Sequence, residues 1–281
     1  MHLRILSVAA TALFFSLTGF TQTVKLNLAP GTKYEVSTVM KITSLASVMG
    51  QTMESNINNE SIENYNVKSV ASNNNELSAS LKKVKLSITA MGQDMDYDSE
   101  NQNNSGPLND AFKDKVGKEY TVLFDDNGKV LNPDVVISAK PEAIVPGMNP
   151  PGDDVSLFSA GFFNRQITNG TSWYDSVTTK TGKMTSTTKG TYKVLSVQGD
   201  MATILFEGKT EQAGVVEQMG MEMNMSGGGN LTKEIMLDMK TGLVIQMNSR
   251  TTGTNKIETM GMDIPVEINA TTTTKIKQLR D

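Results

Sequence analysis

Residues 75–93 read Asn75-Glu-Leu-Ser-Ala-Ser-Leu-Lys-Lys-Val-Lys-Leu-Ser-Ile-Thr-Ala-Met-Gly-Gln93. Leu77, Ala79 and Leu81 keep one phase of a period-two pattern, and Val84, Leu86, Ile88 and Ala90 keep the other. Period two is the signature of a strand with one face on a core and one in water. The slip at Lys82-Lys83 predicts a β-bulge, since one extra residue returns the apolar side chains to the same face. The alternation recurs at Tyr34, Val36, Met40 and Ile42, set against Lys33, Glu35, Ser37 and Lys41. Further strands centre on Val67, Val122, Tyr192, Ile204, Leu237, Ile245 and Ile268. Thr, Ser and Asn fill the outward positions, as in antiparallel sheet with a solvated face. The fold class is all-β, with one or two short helices.

The Met-Gly pair that ends the stretch occurs four times, at Met49-Gly50, Met91-Gly92, Met219-Gly220 and Met260-Gly261. Each lies midway through a long alternating segment. Glycine takes a positive φ at little cost, so Gly and the residue after it are expected as the two central residues of a type II′ hairpin. Four long hairpins with methionine-flanked tips follow; the alternative is glycine inside a strand where another backbone approaches.

Two stretches have helical spacing. Pro107–Val116 places Leu108, Ala111, Phe112 and Val116 on one face, with Gly117 past the end. Asp153–Phe163 could bury Val155, Phe158 and Phe162 behind an Asp cap. Pro141, Pro146, Pro150 and Pro151 mark a linker around this second helix. On either side the sequence repeats in order. Gly31-Thr-Lys-Tyr34 matches Gly170-Thr-Ser-Trp173, Tyr65–Val70 matches Tyr192–Val197, and Phe124–Gly128 matches Leu237–Gly242. The chain therefore divides into residues 1–21, a first β half over 22–137, a linker with a short helix over 138–164, and a second β half over 165–281. The expected architecture is an internally duplicated antiparallel sheet of long hairpins, half-barrel or sandwich-like.

Residues 1–21 read as a secretory signal. Arg4 precedes an apolar run from Ile5 to Leu17, and small Gly19 and Thr21 precede a cut before Gln22. No other apolar stretch is long enough to be a transmembrane helix. Export to the periplasm or cell surface is the expected location. The 281 residues hold no cysteine and one histidine, His2, inside that signal. Thiol chemistry, Cys-ligated metals and His-based triads are thereby excluded from the mature chain. A net charge of −4 gives no basic field for nucleic acid. No catalytic residue, metal ligand or cofactor is assigned, and the protein reads as a non-enzyme.

Methionine is the compositional oddity, at 18 residues against 20 leucines. Met219, Met221, Met223 and Met225 alternate, so a strand would present all four on one face. Thioethers adapt to irregular apolar partners. Together with Met49, Met91 and Met260 they form the candidate contact surface for an apolar ligand. A Met-filled core accounts for most of the methionines without a ligand, and Cu(I) binding is a third reading. The acidic run Asp94, Asp96, Asp98 and Glu100 lacks the Gly and bidentate Glu of a calcium loop, so it reads as a solvated strand face. Asp125-Asp-Asn-Gly128 reads as a turn. Ser226-Gly-Gly-Gly-Asn230 lacks the Lys-Ser/Thr of a phosphate loop and reads as a flexible connection. Trp173 reads as a core anchor with its indole N–H satisfied.

The signal, the Gly-Thr-x-Tyr or Gly-Thr-x-Trp openings, the Asn-Gly and Thr-Gly turns and the two-half layout resemble exported bacterial envelope proteins, duplicated β proteins of unknown function. More distantly, long hairpins over short helices are similar to the half-barrels of periplasmic lipoprotein carriers. That resemblance implies an apolar ligand cavity and carries no catalytic residue. The leading expectation is an envelope protein holding a lipid, an acyl chain or an apolar partner segment on a concave sheet face. A structural or protein-interaction role in the envelope is the alternative.

Overall fold

The alternating segments become strands that pair side by side in one antiparallel sheet. The computed structural model describes residues 23–48, 50–72, 74–90, 92–126, 128–140, 162, 165–181, 183–218, 221–259 and 261–280. The expected signal peptide and nearly all of the expected Asp153–Phe163 helix lie outside the described residues. The first strands are β1 (Lys33–Val48), β2 (Gln51–Ala71), β3 (Asn74–Ala90) and β4 (Gln93–Asp98). Helix α1 (Gly106–Phe112), β5 (Glu119–Phe124) and helix α2 (Pro133–Ala139) follow. The chain continues as β6 (Ser172–Thr181), β7 (Met184–Gln198), β8 (Met201–Gln218), β9 (Met221–Asp238), β10 (Leu243–Thr259) and β11 (Met262–Leu279). The sheet order is β4-β3-β2-β1-β11-β10-β9-β8-β7-β6, with β5 pairing β3 beyond β4. The sheet is open and does not close into a barrel.

The three sequence matches fall at corresponding places in the topology. In each half the first matched segment leads into an opening strand, β1 or β6. The second lies on the next strand, and the third ends a strand paired to the one after that. In the first half that last strand is split. β4 takes the upper part of β3 and β5 the lower part, with α1 between them. β1 joins the halves by pairing with β11 from Lys33↔Leu279 to Ala46↔Val266. The bulge predicted at Lys82-Lys83 is present: opposite Ile62 and Glu63 the register jumps from Lys83 to Leu81.

The reversals differ in one detail from expectation. Val48 pairs Gln51, Ala90 pairs Gln93 and Thr259 pairs Met262, which places each glycine second in a two-residue reversal and not first. Gly50, Gly92 and Gly261 have φ of +80°, +73° and +75°, so the positive φ falls on the second central position. Neighbouring strands alternate in direction, so β1, β3, β8 and β10 all run toward one end. The strand ends that flank the four Met-Gly pairs therefore lie along that end, called the upper rim below.

The opposite end is sealed. Val24 and Leu28 from the N-terminal segment, and Phe162 and Ile167 from the segment before β6, pack against Tyr34, Val36, Tyr65, Val67, Leu77, Phe124, Ile204, Leu237 and Ile276. Phe124, Leu77 and Leu237 are fully buried, and each such side chain contributes about 1.5–3 kcal/mol. A second cluster lies higher in the first half. Leu108 and Phe112 of α1 lie over Ile42, Ile57, Leu86, Ile88 and Tyr97. The Phe112 and Tyr97 rings stack at 4.9 Å. Helix α1 ends at Phe112, four residues before the expected end, because Val116 leaves the helix to bridge Leu81. Helix α2 was not anticipated, although Asn132 followed by Pro133 and Asp134 is a helix-start signal.

Ser226–Asn230 is strand, not a connection: Gly227, Gly228 and Gly229 pair with both β8 and β10. A Cβ added at Gly229 would lie 2.3 Å from the Thr252 carbonyl oxygen, and one at Gly253 opposite it 2.3 Å from that of Gly228. Gly190 and Gly208 also face each other, beneath the Phe206 ring. Glycine is required here by close approach of neighbouring backbones, and such positions bend a sheet.

Candidate functional site

Strand parity separates the two faces of the sheet. Tyr34, Val36 and Ile42 face inward on β1, and their partners on β11 are Gln278, Ile276 and Ala270. The same parity continues upward through Ala46 and Val48 on β1 and through Ile268, Val266 and Ile264 on β11. Ile257 on β10 lies opposite Ile264. These six side chains are half-buried, while the inward residues nearer the sealed end are mostly buried. Beside Ile268, Gly253 and Gly229 present bare backbone on the inner face. The result is an apolar track leading from the core to the upper rim, floored in part by glycine.

The methionines enter this geometry unequally. Met223 and Met225 share the inner face of β9, as alternation requires, opposite Val216 and Gly214 of β8. Met223 is 9% exposed and Met225 2%, so these thioethers are packed within the protein. Met184 joins them, its Sδ filling the space that a Gly214 side chain would occupy. Met49, Met91, Met219 and Met260 lie outside the described residues, as does the side chain of Met221. The described strand ends on either side of them lie on the upper rim.

Charged side chains accompany that rim. Lys183 pairs with Glu222 at 2.5 Å, and Lys256 pairs with Glu258 at 2.6 Å and Asp263 at 3.1 Å. The Lys183 ammonium beside Glu222 holds that carboxyl below its ordinary range. On the outer face a depression of about 580 Å³ lies between β10, β11 and β1. Its lining is mixed: Thr43, Thr252, Thr254, Glu267 and Asn269 are interleaved with Leu45, Gly253 and Ile268.

A polar belt crosses the inner face of the first half, and no motif or periodic pattern announced it. Lys140, at the end of α2, lies 3.8 Å from Glu63, with both side chains largely buried. Tyr65 donates its hydroxyl to Glu63 at 2.5 Å. Burial, and then the Glu63 charge, push the Tyr120 phenol well above its ordinary range. Asn59, Ser61, Glu63, Tyr120 and Lys140 border a cavity of about 20 Å³, room for a single water. Asn59 Nδ2 is buried there without a protein partner among the described residues. Among the described residues no cluster of His, Cys, Asp or Glu could hold a metal ion.

In the second half the aromatic side chains stack. Trp173 lies on Tyr192 at 5.1 Å, with Phe162 edge-on to both and the Arg165 guanidinium 5.1 Å from the indole centroid. Burial pushes the Tyr192 phenol up to about 12. Trp173 is the expected anchor, but its Nε1 is buried without a hydrogen-bond partner among the described residues.

Residues 72–134 and 159–244, just over half of the chain, match a family described as a family of unknown function, DUF6263. No curated protein matches the sequence. Among solved structures, lipovitellin, described for its lipid–protein interactions, is similar with a TM-score of 0.50 at 13% identity. That likeness covers 90% of this chain and 26% of the lipovitellin chain, so the protein spans about a quarter of that relative. An outer membrane channel from Pseudomonas putida F1 covers 92% of this chain and 98% of its own, with a TM-score of 0.27 at 10% identity. Lipovitellin supports the open antiparallel sheet as a fold. Among the described residues no helix is long and apolar enough to cross a membrane.

Proposed function

The chain belongs to the DUF6263 family, whose function is unknown, and on that premise we propose that it is an exported, non-catalytic envelope protein that binds an apolar chain. The occupant is a lipid, an acyl chain or an apolar segment of a partner, lying on the inner face along β10, β11 and β1. One observation carries this reading. Ile257, Ile264, Val266, Ile268, Ala46 and Val48 continue the core's apolar phase up to the rim yet stay half-covered. An apolar row of this kind gains about 25 cal/mol for each Å² that a ligand removes from water. The bare backbone at Gly229 and Gly253 lets an acyl chain lie close to the sheet. The lipovitellin likeness is in keeping with a sheet of this kind serving lipid, and the fold is all that it supplies.

Native mass spectrometry of the protein purified from a bacterial envelope tests the reading. A bound lipid that departs on activation is expected, together with its loss in an Ile268→Asp variant that keeps its β-sheet circular dichroism. A chain that carries no lipid and gains none from added phospholipid micelles would overturn it.

A further inference from the structure

An open sheet has two edges, and this one treats them differently. At the first-half edge, β5 is covered along its outer side: Val130 bridges Phe124, Leu131 N–H donates to the Leu123 carbonyl at 2.8 Å, and the Asn132 side chain holds Leu123 N–H and the Thr121 carbonyl. β4, beside it, has only six residues and carries Asp94, Asp96 and Asp98. Asn104 bonds the Asp98 carbonyl at its end. Short length, repeated charge and a covering segment are the usual guards against edge pairing.

Among the described residues the β6 edge has no such guard. It runs ten residues, Ser172–Thr181, and among the described residues pairs only with β7. Tyr174 is 63% exposed and Val177 52%. Its only charged residues are Asp175, facing inward, and Lys180, facing outward. A row of unpaired backbone donors and acceptors flanked by exposed apolar side chains is a template for another strand.

We propose that the occupant is β6 of a second copy, antiparallel about a two-fold axis through Val177. Two arguments select this partner. A head-to-tail assembly would need the first-half edge, which is covered at β5 and carboxylate-lined at β4, so self-pairing is the arrangement that closes. The strand is also self-complementary in one register. Centred on Val177, Asp175 lies opposite Thr179 and Tyr174 opposite Lys180, with 173–181 paired throughout. Centring on Asp175 would set two carboxylates face to face, and centring on Ser176 would set Asp175 against Val177. The two-fold preserves faces, so the inner faces of both copies join into one surface.

The chain has no cysteine, so single-cysteine variants report the register directly. Directly opposite residues have Cβ atoms about 4.5–5.5 Å apart. Under mild oxidation Val177→Cys should give a disulfide-linked dimer. Thr179→Cys and Asp175→Cys alone should stay monomeric on denaturing gels, and mixing those two should give the crossed dimer. In analytical ultracentrifugation the unmodified chain should reversibly dimerise. Val177→Lys should weaken that association about tenfold or more, because two ammonium groups meet on the axis. Thr179→Lys serves as the control for folding, since each of its lysines faces Asp175 of the other copy and pairing should persist. A chain monomeric at every concentration, cross-linking that ignores position, or slow amide exchange of β6 in a proven monomer would each overturn the proposal.

Discussion

Gly253→Ala adds one methyl group at a point where β10 runs close to β9. The new Cβ would lie 2.3 Å from the Gly228 carbonyl oxygen and 2.7 Å from Gly229 Cα, both backbone atoms that no rotamer change can move. An ordinary carbon–oxygen contact is about 3.3 Å, so the strands must part by about 1 Å. Such a separation takes the flanking N–H···O bonds beyond about 3.5 Å and forfeits about two of them, at about 1 kcal/mol each. Overpacking adds about 1–3 kcal/mol. The expected loss is therefore about 3–5 kcal/mol, a large part of the roughly 5–15 kcal/mol by which domains are stable. Gly50→Ala is the matched control. Its φ of +80° penalises any side chain, but nothing lies within 4 Å of its Cβ, so about 1–2 kcal/mol is expected. Urea unfolding followed by Trp173 fluorescence and far-ultraviolet circular dichroism measures both. If Gly253→Ala proves no more destabilising than Gly50→Ala at equal m, the close-approach account of the strand glycines is wrong.

Stability should fall between pH 10 and about 12, because burial raises the Tyr192 phenol to about 12 in the folded chain against 10.0 unfolded. The folded state then holds a proton that the unfolded state has lost, and that stabilisation disappears as pH rises through the folded value. Tyr192→Phe should flatten this part of a denaturation-versus-pH series. Lys140→Ala leaves Glu63 buried without its cation and should cost about 3 kcal/mol or more, whereas Lys140→Met with Glu63→Gln should recover most of it. Calorimetric melting of the single and double variants reads the difference. Met223→Leu with Met225→Leu, a volume-conserving change at buried positions, should cost less than about 1.5 kcal/mol each in urea unfolding. Cu(I) affinity unchanged by that pair would set the thioether-metal reading aside. Trp173→Phe keeps the ring stack with Tyr192 and removes an unpartnered buried N–H, so it should be close to neutral in thermal melting.

How legible each element was depended on how local its cause is. The slip at Lys82-Lys83 was readable because a bulge is written in two consecutive apolar phases on one strand. Met-Gly reversals were readable as hairpins, but not which central position glycine takes, since that depends on the register Val48↔Gln51 across two strands. Gly227–Gly229 misled, because three glycines without side chains carry no alternation, and only the approach of β10 shows that they are strand. The Glu63–Lys140 pair joins residues of β2 and α2 that no periodic pattern relates.

From the order of its side chains alone, this protein is a β chain with one wet face, reversing at glycine, without imidazole or thiol beyond its first residues. Those properties follow from short-range rules: side-chain parity, backbone sterics and the chemistry of the residues present. The pairing of β1 with β11, the burial of Met223 and Met225, the half-covered track along Ile264, Val266 and Ile268, and the bare β6 edge belong to the tertiary structure. Each depends on which strand becomes whose neighbour, a choice among distant segments of similar pattern that is settled by packing around a shared core and by backbones close enough to admit only glycine.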